Sequence, residues 1–335
     1  GAKPMPSIFI STIKGSQKTI KDLIHFINET IREYMEQDLY CSIYTYSEGL
    51  WCKAKVQDYS KKLDVLNKIY LEELDKIVLN DTEENLIKKE IKYFIENNKY
   101  YKSIDMLYKK DILIYDPPET GKMTLINVIR STLRRDICFL NLGNIKKDSE
   151  LNSAFNLIRS NKIIVLKDVD TQSRIILDRS KIEFEKPKVT KYLKSSENGN
   201  SKKNSNKLTL AAFLNCLDGH TLPSGTIIIM TTNHVEKLDS ACIRRGRMDI
   251  HLELGYCTHY QIRKMYRQVY KELLKEKSEL TGILLDFLID HLNKIQEKVI
   301  PTCKAIRIML TCLEGKKIES IPSKISELVM KYENF

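Results

Sequence analysis

The chain lacks any apolar run long enough to cross a bilayer, and it has no leading signal-peptide pattern. Gly1-Ala2 reads as a cut site, so an anchor or targeting segment is expected upstream. None of the eight cysteines (41, 52, 138, 216, 242, 257, 303 and 312) forms a C-x-x-C pair. That argues against the common zinc modules, and no metal-ligand set is assigned. Scattered free thiols point to a reducing compartment. The formal charge is +11 and the pI about 9.0, yet no Arg-rich patch carries interleaved aromatics. A Lys/Asn-rich composition therefore explains the charge better than a nucleic-acid footprint does.

What is present supports two or three domains: 335 residues, 42% of them hydrophobic. Residues 1–66 read as a small α+β unit. It has a strand at 7–11, a helical apolar face from Ile20 to Tyr34, and β-rich CSIYTY at 41–46, followed by Trp51. Residues 67–110 read as a linker and helix, the helix opening at Asp81-Thr82-Glu83-Glu84 with capping-box character. From 111 to 254, strands at 111–115, 137–142, 162–166, 226–231 and 249–253 alternate with helices at 122–135, 149–159 and 208–218. This pattern predicts a parallel sheet with helices on both faces and a ligand site at the strands' carboxyl ends. A polar stretch at 171–207, with ten Lys/Arg and four Asp/Glu, reads as an insertion loop. Residues 255–335 read as all-helical, at 258–276, 281–298, 302–313 and 322–333.

The chain is organised around DILIYDPPETGKMT, residues 111–124. A buried strand, a tight turn and an amphipathic helix are the parts of a P-loop, in which backbone N–H groups and a lysine hold phosphate. The candidate nucleotide-binding residues are Asp116, Pro117, Pro118, Glu119, Thr120, Gly121, Lys122, Met123 and Thr124. Gly121 and Lys122 fit the pattern. Asp116 stands where the first glycine belongs, and Met123 where a Ser/Thr would ligate Mg²⁺. A thioether is a poor ligand for that hard cation. Thr124 comes one residue late. Asp116 and Glu119 bring negative charge towards the phosphate, on the order of 4 kcal/mol for one like charge at about 4 Å and an effective dielectric of ~20.

A second acidic element, IIVLKDVD, should end a buried strand. An acidic pair belongs at 167–168. Lys167 takes the first place and Asp168 the second, so Asp168 is left to polarise water. The Lys167 ammonium is expected to fill the vacated metal position and pair with Asp116 or Glu119. Asn233, in TTN at a strand end, can orient water. Arg244 and Arg247, in LDSACIRRGRMD, are expected to be exposed and to stabilise phosphoryl charge in a neighbouring subunit.

With IYTYSEGLW, LAAFLNCLDGHT, IIIMTTNHVEKLDSACIRRGRMD and LELGYCTHYQIRKMYRQVY, these pieces resemble an AAA+ ATPase over roughly residues 7–275. Within that family the chain resembles the mitochondrial Rieske-protein translocases, chaperones of complex III assembly. The resemblance implies an α/β P-loop module with a helical lid, preceded by the small α+β domain. It also implies ATP or ADP between neighbours in a homo-oligomeric ring of about seven, a protein client, and the mitochondrial inner membrane reached through an upstream segment. Lys122 would bind phosphate, Asp168 polarise water, Asn233 act as sensor, and Arg244 and Arg247 act in trans. The departures at Asp116, Glu119, Met123, Lys167 and Arg245 point to impaired or lost hydrolysis, in a ring of its own kind or one mixed with an active paralogue. The alternatives are an active ATP-driven translocase and a basic P-loop protein that binds nucleic acid.

Overall fold

The computed structural model describes residues 42–54, 74–75, 77–178, 207–219, 222–275, 286–315 and 317–333. The strands expected at 7–11 and the helix at 20–34 lie outside these residues, as do most of the 171–207 stretch and the start of the helix expected at 281–298.

Among the described residues, seven strands form one sheet: β1 (Ile43–Ser47), β2 (Leu50–Lys53), β3 (Lys109–Tyr115), β4 (Ile137–Leu140), β5 (Ile163–Leu166), β6 (Thr226–Thr232) and β7 (Ile250–Glu253). Their spatial order is β2-β1-β4-β5-β6-β3-β7, and every neighbouring pair is parallel except β1 with β2. The parallel strands are apolar runs because helices cover both faces. Alternate residues supply two cores: Leu113, Ile164, Leu166, Ile228 and Met230 on one face, Ile112, Ile114, Ile163, Val165, Ile227 and Ile229 on the other.

The helices are α1 (Asp81–Glu96), α2 (Asn98–Ser103), α3 (Lys122–Leu133), α4 (Asp148–Asn156), α5 (Val169–Gln172), α6 (Leu210–Asp218), α7 (Ser240–Ile243), α8 (His259–Lys275), α9 (Thr302–Glu314) and α10 (Ile321–Glu333). Helix α1 starts where its acidic first turn meets the positive end of the dipole, although its N-cap, Asn80, makes no side-chain capping bond. Helices α8, α9 and α10 pack around a third core with Met265, Tyr266, Leu288, Met309, Ile325 and Val329, which is the lid. The helix expected to run to 298 ends at 292, and Lys298 adopts a left-handed φ of 59°.

The hairpin of β1 and β2 differs from the expected separate unit over 1–66. Its turn places Glu48 and Gly49 at φ 52° and 83°, as a two-residue hairpin turn requires. Strand β1 then pairs with β4 (Thr45 opposite Phe139), so the hairpin extends the main sheet. Trp51 Nε1 donates to Ala154 O at 3.0 Å, and Tyr46 packs with Leu140 and Phe155. The start of the expected insertion is also fixed: Leu177 bridges Leu238, and Asp178 N donates to Lys237 O at 2.9 Å.

Candidate functional site: a P-loop beneath a helical lid

The parallel register brings the ends of β5, β6 and β3 side by side, with Ile114 opposite Thr231 and Leu166 opposite Met230. Residues after each strand therefore meet: the loop 116–121, Lys167 to Asp170, and Asn233. Gly121, at φ 98°, caps α3, and nothing lies within 4 Å of where its Cβ would be. The amides of the first turn, at Lys122, Met123 and Thr124, have no partners within the helix. This open cradle at the positive end of a 12-residue helix suits an anion.

A cavity of about 190 Å³ adjoins the cradle. Thr120, Gly121, Thr124 and Leu125 form one side of it; Ile77 to Leu79 and the lid residues Met265, Thr302, Cys303 and Ile306 enclose the rest. Its mostly apolar wall suits a flat heterocycle beside a phosphate cradle.

Lys122 turns back on its own loop, donating to Asp116 O and, at 2.8 Å, to Pro117 O. Burial holds its ammonium below the ordinary lysine range, while Asp116, Asp168 and Asp170 favour the charge. The Asp116 carboxyl is pushed up to about 6, first by burial and then by Glu253, with Lys122 opposing. Its Oδ2 is buried without a hydrogen-bond partner. Thr120 Oγ1 donates to Pro117 O at 3.1 Å, bracing the turn. Met123 is half-buried and packs against the core that contains Leu125 and Ile126. Thr124 is exposed along the cavity wall.

Glu119, unexpectedly, faces the lid. Its Oε2 accepts from Cys303 Sγ at 3.2 Å and lies 3.4 Å from Lys304 Nζ. The charge it was expected to bring to the phosphate is met by a lysine on another element. Lys167 does not pair with Asp116 or Glu119 either. Its Nζ lies 3.6 Å from Asp168 Oδ2, and the pair is half-exposed. The vacated-metal-site pairing expected from the sequence is thus replaced by a contact between chain neighbours.

Asp168 sits at φ 46°, and its amide donates to Thr231 Oγ1 at 2.9 Å, which joins β5 to β6. Asp170, to which the sequence pattern assigns no role, accepts from Thr232 Oγ1 at 2.9 Å and from Asn233 N at 3.3 Å. It therefore fixes the turn that presents Asn233. The only available signal was the D-x-D spacing after a buried strand.

The two arginines part company. Arg244 is exposed, as expected. Arg247 is buried and binds Asp218 through two parallel bonds, Nε to Oδ1 at 2.6 Å and NH2 to Oδ2 at 2.9 Å. Its third nitrogen donates to Ala241 O at 2.8 Å. This guanidinium is fully engaged within its own chain, so Arg244 alone of the two projects outward.

Among the described residues no group of three or more His, Cys, Asp or Glu forms a metal site, and no helix is long and apolar enough to cross a membrane.

Comparison with known proteins agrees with this geometry. The profile of the ATPase family associated with various cellular activities (AAA) matches residues 112–256. An AAA-ATPase of Arabidopsis thaliana is 39% identical over 169 residues, covering 50% of this chain and 34% of that protein. The probable mitochondrial chaperone BCS1-B of Dictyostelium discoideum is 32% identical over 201 residues, 58% of this chain and 44% of its own length. The mitochondrial chaperone BCS1 of Homo sapiens is 32% identical over 196 residues, 58% and 43% respectively. The chain thus spans less than half the length of these relatives. Residues 112–256 are an AAA ATPase domain on a P-loop sheet, and around this region the chain is similar to AAA-ATPases and to mitochondrial chaperones of the BCS1 type.

Proposed function

We propose that this chain is a BCS1-type ring subunit. It binds adenine nucleotide in the cavity between P-loop and lid, and its hydrolysis of Mg-ATP is impaired or lost. One observation carries the second half: Lys167 stands where an acid would support Mg²⁺ and pairs at 3.6 Å with Asp168, the residue left to polarise water. A cation held beside that carboxylate occupies one of its oxygens, which is then less available to metal or water. Met123 removes the hydroxyl ligand from the other side. With a thioether at Met123 and an ammonium at Lys167, the donor set does not fit Mg²⁺. Binding needs neither group, because the cradle is backbone and Lys122 remains.

Arg244, exposed after α7, favours a ring in which this subunit completes a neighbour's site, including a ring shared with an active paralogue. The named relatives support a mitochondrial setting and a protein client.

Calorimetric titration with ATP, with and without Mg²⁺, alongside phosphate release, tests this function. Binding indifferent to Mg²⁺ and without turnover is expected. Mg-dependent tight binding with turnover would replace this reading with an active ATP-driven translocase.

A further inference from the structure

Glu119 has an unusual place. It lies at the apex of the P-loop with a left-handed φ of 69°, a conformation that side chains other than glycine's seldom adopt. Such a residue persists where its surroundings hold it. Here three contacts do so, all to the first turn of one lid helix. The Glu119 carbonyl accepts from Cys303 N at 3.3 Å, its carboxylate accepts from Cys303 Sγ at 3.2 Å, and Lys304 Nζ lies 3.4 Å from the same oxygen. The carboxylate also lies near the positive end of the 13-residue helix α9. The thiol bond first, and then Lys304, hold the Glu119 carboxyl below the usual range.

The same turn of α9 walls the cavity. Thr302, Cys303 and Ile306 face Thr120, Gly121 and Thr124 across it. On the far side the lid is tied down separately. Lys264 of α8 pairs with the buried Glu84 of α1, and Gln268 Nε2 donates to Asp75 O at 3.1 Å. Among the described residues, polar contacts hold the lid at two places. One is a buried brace at α1. The other is a largely exposed contact at the P-loop apex, and it is the more readily released because solvent screens it.

We propose that Glu119, with Cys303 and Lys304, is a latch that holds the lid onto the P-loop and sets the rate at which nucleotide enters and leaves the cavity. The gating part rests on the reading of that cavity as the nucleotide site.

The test uses the full chain with Glu119→Ala, Lys304→Met, the double variant, and Cys303→Ser, which keeps a donor. Two quantities are read: amide hydrogen exchange over 302–306 without nucleotide, and the release rate of N-methylanthraniloyl ADP chased by ADP. Opening the latch should raise exchange and speed release roughly three- to tenfold in both single variants. The double variant should be no faster than Glu119→Ala, because that change already removes the Lys304 contact. Cys303→Ser, which keeps a donor to the Glu119 carboxylate, should raise exchange over 302–306 less than Glu119→Ala does. A purely electrostatic role gives a different sign pattern. Removing the negative Glu119 would slow loss of the anion, and removing the positive Lys304 would speed it. Opposite signs, effects that multiply, or unchanged exchange each overturn the latch. If no variant binds the fluorescent ADP, the nucleotide reading falls and the gate with it, while exchange still decides whether the contact holds the lid.

Discussion

Lysine and aspartate side chains lie near both ends of strand β3, and the two ends behave differently. At its start, Asp111 is fully buried and pushed up to about 7, with burial the main cause and Lys109 opposing it. Lys109 Nζ lies 2.7 Å from Asp111 Oδ2 and donates to Leu217 O at 2.8 Å. Arg247 and Asp218 close the cluster beside it. At the other end, Asp116 is half-buried, and Lys122 is occupied only by carbonyls of its own loop. The first end is closed within the protein, so its charges brace the loop that carries Arg244. The second opens onto a cradle and a cavity, and its lysine can exchange carbonyls for phosphate. The same residue types are structural where they are enclosed and paired within the fold, and available for binding where they border an open cradle and cavity.

The comparison breaks most visibly at the closed end. Arg247→Ala leaves Asp218 without its bidentate partner and strips a donor from Ala241 O. Loss of one member of a buried pair costs about 3–5 kcal/mol. Asp218 is 30% exposed, so the lower end of that range, about 3 kcal/mol, is expected in urea unfolding. A loss under about 1 kcal/mol would show that the cluster does not brace the fold.

Asp111→Asn sharpens the same point through pH. The folded carboxyl titrates near 7 and an unfolded one near 3.8, so between these values the folded state holds the extra proton. Stability from this group is full below the lower value and is lost as pH rises through about 7. The asparagine variant should lack that slope. Relative to the unaltered protein it should gain about 3 kcal/mol between pH 5 and pH 8 in urea midpoints, the share of the linkage that falls between pH 5 and about 7 at ~1.4 kcal/mol per pH unit. An identical slope in both proteins would place the titration elsewhere.

What the sequence made legible was local. The five buried strands and the helices that follow them were readable from apolar runs and 3.6-residue spacing, which depend on neighbours within one element. Gly121 and Lys122 were readable because the phosphate turn is a short continuous pattern. Three of the misreadings involve distant partners. Arg247 was expected to be exposed, and only Asp218, 29 positions away, shows why it is buried. Glu119 was placed against the phosphate, while its partner Cys303 lies 184 positions on. The hairpin at 43–53 was assigned to a separate unit because nothing in its own residues specifies pairing with Ile137 to Phe139. Strand pairing at that separation is set by the assembled core, and no local propensity encodes it.

At the open end, Asp116→Asn should have a smaller effect with the opposite use of pH. Asp116 ionises through about 6, and its negative charge then opposes a phosphate on the same loop. ADP affinity should therefore fall as pH rises through that value. The asparagine variant should bind ADP about threefold to tenfold more tightly at pH 8, an effect of roughly 1 kcal/mol, and no more tightly at pH 5. Calorimetry at the two pH values reads this directly, and the difference between the proteins removes the titration of ADP itself. An equal gain at both pH values would show that Asp116 acts through packing.

The smallest effect on stability is expected at Lys167, and it is the closest control for Arg247. Both are cations paired with an aspartate, one at each end of the sheet. The side chains of Lys167 and Asp168 are 50% and 32% exposed, against 8% and 30% for Arg247 and Asp218. A half-exposed pair with one contact at 3.6 Å gains little over its solvated parts, so Lys167→Ala should change the unfolding free energy by under about 0.5 kcal/mol. Its functional effect should run the other way: with the lysine gone, Asp168 is freed, and ATP binding should become more responsive to Mg²⁺ in calorimetry. The response should stay modest, because Met123 still withholds a hydroxyl, and Met123→Ser with Lys167→Ala should enlarge it. If Lys167→Ala destabilised the protein as much as Arg247→Ala does, the open end would be a closed cluster as well, and the contrast between the two ends of β3 would fail.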